Sequence, residues 1–382
     1  MARIKTDWIL FLVTVLMVAF GLVIVYSASS VVGDLRFRNG NQIFLKQAGF
    51  TIVSFATLMM VRRKNYRTLE SPTWAFVSLG IVLIMLVAVY FVDARQHRWF
   101  RLGPASMQVS IQPSEFAKPA LIIFLAWFIT QRAGAINHKR TLILAAMALA
   151  IVAGTVASPD LGTAVVLVAT AAAVFYVAGL GRRYIAMAAV GVMLLGAALV
   201  VAKPYRLGRI IAFVDPAYDK LSLIDRHGWV KNYVESGTVT RDQGYQARQS
   251  KIAVGSGGMF GLGLMQGVMK LLYLPEAHTD FIYAVVGEEL GLLGTTAVLA
   301  GFLVILWRGL RLFWLVPDDF GKYLALGVTV SIVVQAMINM SVVLDIGPTK
   351  GIPLPMISYG GSSLLSSLVS LGMLLNVSDH AG

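Results

Sequence analysis

Runs of roughly twenty apolar residues, broken by short polar segments, recur along almost the whole of this 382-residue chain. A helical crossing of a bilayer needs about 20 such residues. The sequence therefore predicts ten spans: Trp8–Ser27, Gln42–Val61, Thr73–Val92, Ser114–Ile129, Leu142–Ala157, Leu161–Ala178, Tyr184–Val201, Phe281–Leu306, Tyr323–Val343 and Leu354–Asn376. Charged residues make up 13% of the chain, about half the ~25% of soluble domains, and the mean hydropathy is +0.75. The expected fold is an all-α polytopic membrane protein, residues 1–382 forming one integral membrane domain. Arg3 and Lys5 before the first apolar run, with Ser27-Ala28-Ser29 after it, resemble a cleaved signal peptide. The length of the run and the many spans that follow favour a retained first helix.

Lys and Arg in the short loops set the orientation. With the N-terminus inside, the inner segments hold fourteen and the outer segments eight. Both termini are expected to be cytoplasmic. One large extracytoplasmic loop, 203–279, precedes the eighth helix, and loops of such length are often functional. Within it, Tyr205 to Phe213 mixes basic and apolar residues as an amphipathic surface helix would. Tyr245 to Gly267 is glycine-rich, and Ala217 to Gly244 is polar.

The chain has no Cys, which excludes disulfide and thiolate chemistry. His97, His138, His227, His278 and His380 are scattered without metal-ligand spacing, which argues against a zinc site. A net charge of +13 in such a chain fits anionic lipid and topology rather than nucleic acid. The glycines of the long loop lack the strand–turn–helix context of a dinucleotide site.

Ionisable groups at the mouth of a membrane helix cost free energy and point to function. Glu276, His278 and Asp280 stand within five residues of one another at the entry to the eighth span. If the helix starts early, Glu276 and Asp280 lie at i and i+4 and share a face. Capping of the helix start is the plainer alternative. Glu115 and Lys118, at i and i+3 in the fourth span, read either as a self-neutralising pair or as a headgroup contact. Asp160 sits in a tight turn where it could simply cap the sixth span. Arg95, Arg98, Arg101, Lys118 and Lys350 run against the charge bias, through headgroup snorkelling or structural ion pairs, or because together they serve an outward-facing anion site. Glu288 and Glu289 lie deeper in the eighth span, where one is expected to face the interior and pair with a base in a structural role. Gly360 and Gly361, with Ser358, Ser362 and Ser363, allow close packing or an opened backbone in the last span.

Five motifs in order, Gln112–Lys118, Ser158–Thr163, Tyr245–Gly263, Leu274–Gly291 and Pro348–Ser363, resemble those of the SEDS glycosyltransferases (shape, elongation, division and sporulation), the FtsW/RodA family. The resemblance covers essentially the whole chain. Pro348-Thr349-Lys350-Gly351 and Gly360-Gly361-Ser362-Ser363 are closer to the division branch, FtsW. Two departures stand out: Ala217 to Gly244 is longer than the usual connection, and cytoplasmic tails are nearly absent.

The resemblance implies a peptidoglycan polymerase that joins lipid II units at the outer face of the bacterial cytoplasmic membrane, at the division septum. It implies a class B penicillin-binding protein and other divisome membrane proteins as partners, and no nucleic acid. The family's loop aspartate corresponds to Asp280, the candidate general base, and its tryptophan at the third-span exit to Trp99, beside Arg98. Glu276, His278, Arg101, Glu115, Lys118, Asp160, Lys350, Ser358 and Ser362 complete the candidate substrate contacts. A divalent cation, Mg2+ or Mn2+, is a candidate aid to the leaving diphosphate, held by no identified residue, and no organic cofactor is expected. Two other classes compete: a lipid II flippase and a non-catalytic division scaffold. A flippase needs a polar route across the membrane, whereas these groups gather at one face. A scaffold leaves the ionisable cluster without a role.

Overall fold

The computed structural model describes residues 7–37, 41–93, 96–103, 108–215, 225, 228–236, 240–271, 273–348 and 350–380. Arg3, Lys5, Arg38, Arg95, His227, Thr349 and part of the 217–244 stretch lie outside them. The helices are α1 (Trp8–Phe37), α2 (Gln42–Arg63), α3 (Pro72–Val92), α4 (Pro113–Thr130), α5 (Lys139–Ala157), α6 (Leu161–Val177), α7 (Arg182–Val201), α8 (Pro204–Val214), α9 (Trp229–Ser236), α10 (Thr240–Ser256), α11 (Ile282–Leu315), α12 (Asp319–Val343) and α13 (Gly361–His380). Among the described residues nine are long and apolar enough to cross a membrane, and α6 is a shorter apolar helix, which together match the ten expected spans. The chain is a multi-pass membrane protein.

Local chemistry sets the helix starts. Ser71 and Asp318 cap α3 and α12 through Trp74 N–H and Gly321 N–H, and Pro opens α3, α4 and α8. α4 is the packing axis, with almost every residue buried, and it joins two apolar cores. One core gathers α1, α2, α11, α12 and α13; the other gathers α3, α4, α5 and α6. By contrast, α7 buries none of its residues.

Three expectations change. The last helix begins at Gly361 rather than Leu354, because Pro353 and Pro355 hold residues 351–360 in turns. The eighth span begins at Ile282, within a residue of the expected Phe281, but runs on to Leu315 and has a break in helical geometry at Gly291 (φ 63°, ψ −155°). Residues 276–281 are therefore not helical, and Glu276 (φ 56°) and Asp280 do not share a helix face. The long loop contains α8, the expected amphipathic helix, and also α9 and α10, the last taking in the start of the glycine-rich stretch.

The start of α1 and the last turn of α13 lie together at one end of the bundle. Asp7 caps α1 at Leu10 N–H, pairs with Arg308 Nε at 2.7 Å, and donates its own N–H to Ser378 Oγ. Arg62 pairs with Asp379 at 2.6 Å. At the opposite, loop end, Lys270 Nζ reaches Glu289 Oε1 at 2.5 Å and Ser27 Oγ at 2.9 Å, all three side chains buried. Glu289 is thus the expected inward-facing glutamate, while Glu288 accepts from the Val268 and Met269 N–H groups. Breaking a buried pair by removing one partner costs about 3–5 kcal/mol, whereas replacing both partners with apolar or neutral groups is often close to neutral. Lys270→Met should therefore lower the unfolding temperature markedly in detergent, and adding Glu289→Gln should recover most of the loss; thermal unfolding of the two variants checks this.

Candidate active site at the loop end

Two cavities open at the loop end on either side of the segment that leads into α11. The first, about 210 Å³, is lined by Arg98, Asp160, Tyr205, Arg206, Arg209 and Lys350, with Gly351 at its edge. The second, about 260 Å³, is lined by Lys46, Trp99, Arg101, Glu276, His278 and Tyr359. The pair Arg98-Trp99 serves both. Neighbours on an extended chain point to opposite sides, so Arg98 enters the first cavity and Trp99 the second. Asp93, just beyond α3, fixes this exit by accepting from the Arg98 and Trp99 N–H groups at 3.1 and 3.2 Å. A short antiparallel pair, β1 (Phe100–Leu102) and β2 (Val109–Ile111), then carries Arg101 and Ser110 to the second cavity.

Asp280 lies at the divide. A Cβ on Gly351 would stand 2.5 Å from Asp280 Oδ2, so any side chain there would push the carboxylate from its place against the rim of the first cavity. The backbone around Asp280 is tied down on both sides. Asn339 Nδ2 donates to the Asp280 carbonyl (2.8 Å) and the Ile352 carbonyl (2.7 Å). Ser358 Oγ donates to the Thr279 carbonyl (2.6 Å), and Tyr359 N–H donates to the His278 carbonyl (3.0 Å). The carboxylate itself is half-buried and makes no hydrogen bond or ion pair among the described residues. Burial pushes its pKa up to about 7, helped by the nearby negative charges of Glu276 and Asp160 and opposed by Arg98 and Arg209.

Asp160 fills both roles open to it in the sequence. It caps α6 at Thr163 N–H (3.1 Å), and it pairs with Arg98 Nη2 at 3.1 Å while accepting from Gln112 Nε2 at 2.9 Å. Burial raises its carboxyl, but Arg98 and the Thr163 hydrogen bonds outweigh that and hold it below the usual carboxylate range. Arg98 keeps a charged partner while its buried Nε has no hydrogen-bond partner among the described residues. Burial pushes the Lys350 ammonium down, as do Arg206 and Arg209, against Asp160.

Other candidates stand apart from the cavities. Lys118 is buried and held by Glu115 Oε2 (2.7 Å) and Gln335 Oε1 (2.5 Å), the self-neutralising pair. Ser358 accepts from Leu354 N–H and serves the loop backbone. Ser362 is buried in the first turn of α13 and lines neither cavity. Conversely, sequence reading did not single out Arg206 and Arg209 as site residues. Arg206 is spent on the Ala157 and Ser158 carbonyls at 3.0 and 2.6 Å, and so docks α8 over the end of α5. The basic–apolar mix of 205–213 was the available signal, but it did not distinguish a membrane-facing helix from a cavity wall. No group of three His, Asp or Glu able to hold a metal occurs among the described residues, and the charged lining of the first cavity is four cations, Arg98, Arg206, Arg209 and Lys350, against the single carboxylate of Asp160. These donors do not fit a resident divalent ion.

The profile of the family described as "Cell cycle protein" (FtsW, RodA and SpoVE) matches residues 7–382. The chain is 37% identical to "Probable peptidoglycan glycosyltransferase FtsW" of Trichlorobacter lovleyi over 97% of this chain and 93% of that one. It is 36% identical to "Stage V sporulation protein E" of Bacillus subtilis, over 99% and 98%. The fold is similar to RodA of Thermus thermophilus (TM-score 0.67, 24% identity, 98% and 97% covered). It is also similar to a chain of a structure described as "Structural coordination of polymerization and crosslinking by a peptidoglycan synthase complex" (TM-score 0.72, 24% identity, 98% and 97% covered). Matched from residue 7 to its last residue, and at this identity over nearly the full length of its relatives, the chain belongs to the FtsW/RodA/SpoVE family.

Proposed function

We propose that this protein is a peptidoglycan glycosyltransferase that polymerises lipid II, with Asp280 as general base. The observation that carries this reading is an uncommitted carboxylate set between a cationic cavity and an aromatic, mixed-charge one. Names of relatives that read peptidoglycan glycosyltransferase support it. The excess of basic residues in the loops at the other end supports reading the loop end as the extracytoplasmic face, where the sugars of lipid II lie.

The donor's diphosphate suits the first cavity, with Arg98, Arg209 and Lys350 facing it. The acceptor sugar suits the second, against Trp99 and Tyr359. Asp280 takes the proton of the acceptor 4-hydroxyl as its oxygen bonds to the donor anomeric carbon. The bond from that carbon to the diphosphate oxygen breaks, and undecaprenyl diphosphate leaves. Cations held in place before the reaction stabilise the leaving charge without reorganising. Asp160 holds Arg98 for this task. A Mg2+ or Mn2+ ion would have to arrive with the diphosphate, since these residues offer it no nest of carboxylates. A class B penicillin-binding protein is the expected crosslinking partner at the septum, a reading supported by the structural neighbour from a synthase complex that couples the two activities.

A base of pKa near 7 is better matched to neutral pH than an ordinary Asp at about 3.9. The group is protonated below its pKa and inactive there. The rate of polymerisation should therefore rise with pH through about 7 and level off above it; initial rates of purified protein on lipid II from pH 5.5 to 8.5 check this. Because the raised pKa disfavours the charged form in the folded state, Asp280→Asn should also unfold at no lower temperature than wild type above pH 7. The same variant should lose roughly 10²–10⁴-fold in polymerisation. Product gels at matched protein amount read the loss, and near-normal polymer would overturn Asp280 as the base. Translocation of labelled lipid II in proteoliposomes, unchanged in Asp280→Asn, would instead favour a flippase.

A further inference from the structure

After α10 the chain runs back along the beginning of α11 rather than out into water. Leu262 and Gly263 N–H donate to the Glu288 and Glu289 carbonyls at 3.0 Å each. In return, Leu292 and Leu293 N–H donate to the Gly258 and Met259 carbonyls at 2.9 and 3.2 Å. The approach is so close that a Cβ at Gly261 would lie 2.1 Å from the Glu289 carbonyl oxygen. Glu288 clamps the next turn through the Val268 and Met269 N–H groups. The segment is thus fixed, yet Met259, Phe260, Leu262, Leu264, Met265 and Val268 all point outward, Phe260 at 78% exposure.

Two rulers give the depth of this apolar patch. Gly291, where the patch meets α11, lies 17 residues from Arg308, which pairs with Asp7 at the terminal end. At ~1.5 Å per residue that is about 25 Å. Along α1, Asp7 to Ser27 is 20 residues, about 30 Å, and Ser27 donates to Glu289, one half-turn beyond Gly291. The hydrocarbon core is about 30 Å thick, so the Glu289–Lys270 pair sits at its far boundary and Phe260 sits just inside it. The exposed column of α11, Leu292, Leu293, Leu303 and Trp307, runs directly down from the patch. The segment satisfies its backbone against the helix, as non-helical chain at membrane depth must.

We propose that residues 257–268 form a re-entrant membrane anchor whose partner is the acyl chains of the leaflet at the loop end. It fixes the height of the chain that reaches Asp280 twelve residues later. This placement stands whether or not Asp280 is the base. The absence of Cys makes the test direct. Spin labels are placed at Phe260→Cys and, separately, Leu264→Cys in the full chain, reconstituted in phosphatidylethanolamine–phosphatidylglycerol vesicles. Leu303→Cys serves as the lipid-facing reference and Lys231→Cys as the water-facing one. Collisions with oxygen and with a water-soluble nickel chelate are compared by power saturation. The expected oxygen-to-nickel ratio at 260 and 264 is nearer to that of 303 than to that of 231, and shallower than 303. A ratio equal to that of 231 overturns the proposal. So does shielding from both reagents, which would mean that a second copy or another protein covers the patch. Either labelled position alone decides the matter if the other variant fails to fold.

Discussion

A backbone that leaves the helix inside a membrane bundle must still satisfy its N–H and C=O groups, and the site at the loop end grows out of that requirement. Residues 276–281 and 351–360 are both non-helical, and each helps satisfy the other. Asn339, Ser358 and Gln47 supply the side-chain partners, from α12, the turn itself and α2. Three elements distant in sequence are thereby locked around a short stretch of chain. Asp280 is held by its backbone, which leaves its carboxylate without a hydrogen-bonding or ion-pair obligation among the described residues. A carboxylate held through its side chain would be a poorer base, because partners that stabilise its charged form lower its pKa.

Electrostatics then divides the labour. Asp160 and Asp280 sit near the same arginines but are pushed in opposite directions. Asp160 is paired directly with Arg98 and stays ionised, whereas Asp280 feels Arg98 and Arg209 only through space while burial and Glu276 raise it. Two titratable groups whose environments drive them apart mark an acid–base assignment. In the proposed mechanism, one carboxylate aims a cation and the other accepts a proton.

Much of this was legible in the residues alone. Ten apolar runs gave the spans, because membrane helices are the one element that length and hydropathy specify. Glu115 with Lys118, Asp160 as a cap, and one inward glutamate of the 288–289 pair were readable because each depends on spacing along a single helix or turn. The helix start was read at Phe281, one residue from Ile282. What failed was the earlier start that would have put Glu276 and Asp280 on one face, because Leu274–Phe281 has no residue that forbids a helix except Pro275 and its turn is imposed by contacts with 350–360. Arg209, Tyr359 and the role of Gly351 were invisible for the same reason. Each matters through a neighbour more than sixty residues away, and no periodicity encodes that. The return of 257–268 along α11 was hidden behind a glycine content that reads as loop.

The knot of Asp7, Arg308, Ser378, Arg62 and Asp379 ties the first and last helices to each other at the end opposite Asp280. A load applied to one of these helices at that end is therefore shared with the other through Asp7 and Ser378 before it is felt at the cavities, about a membrane thickness away.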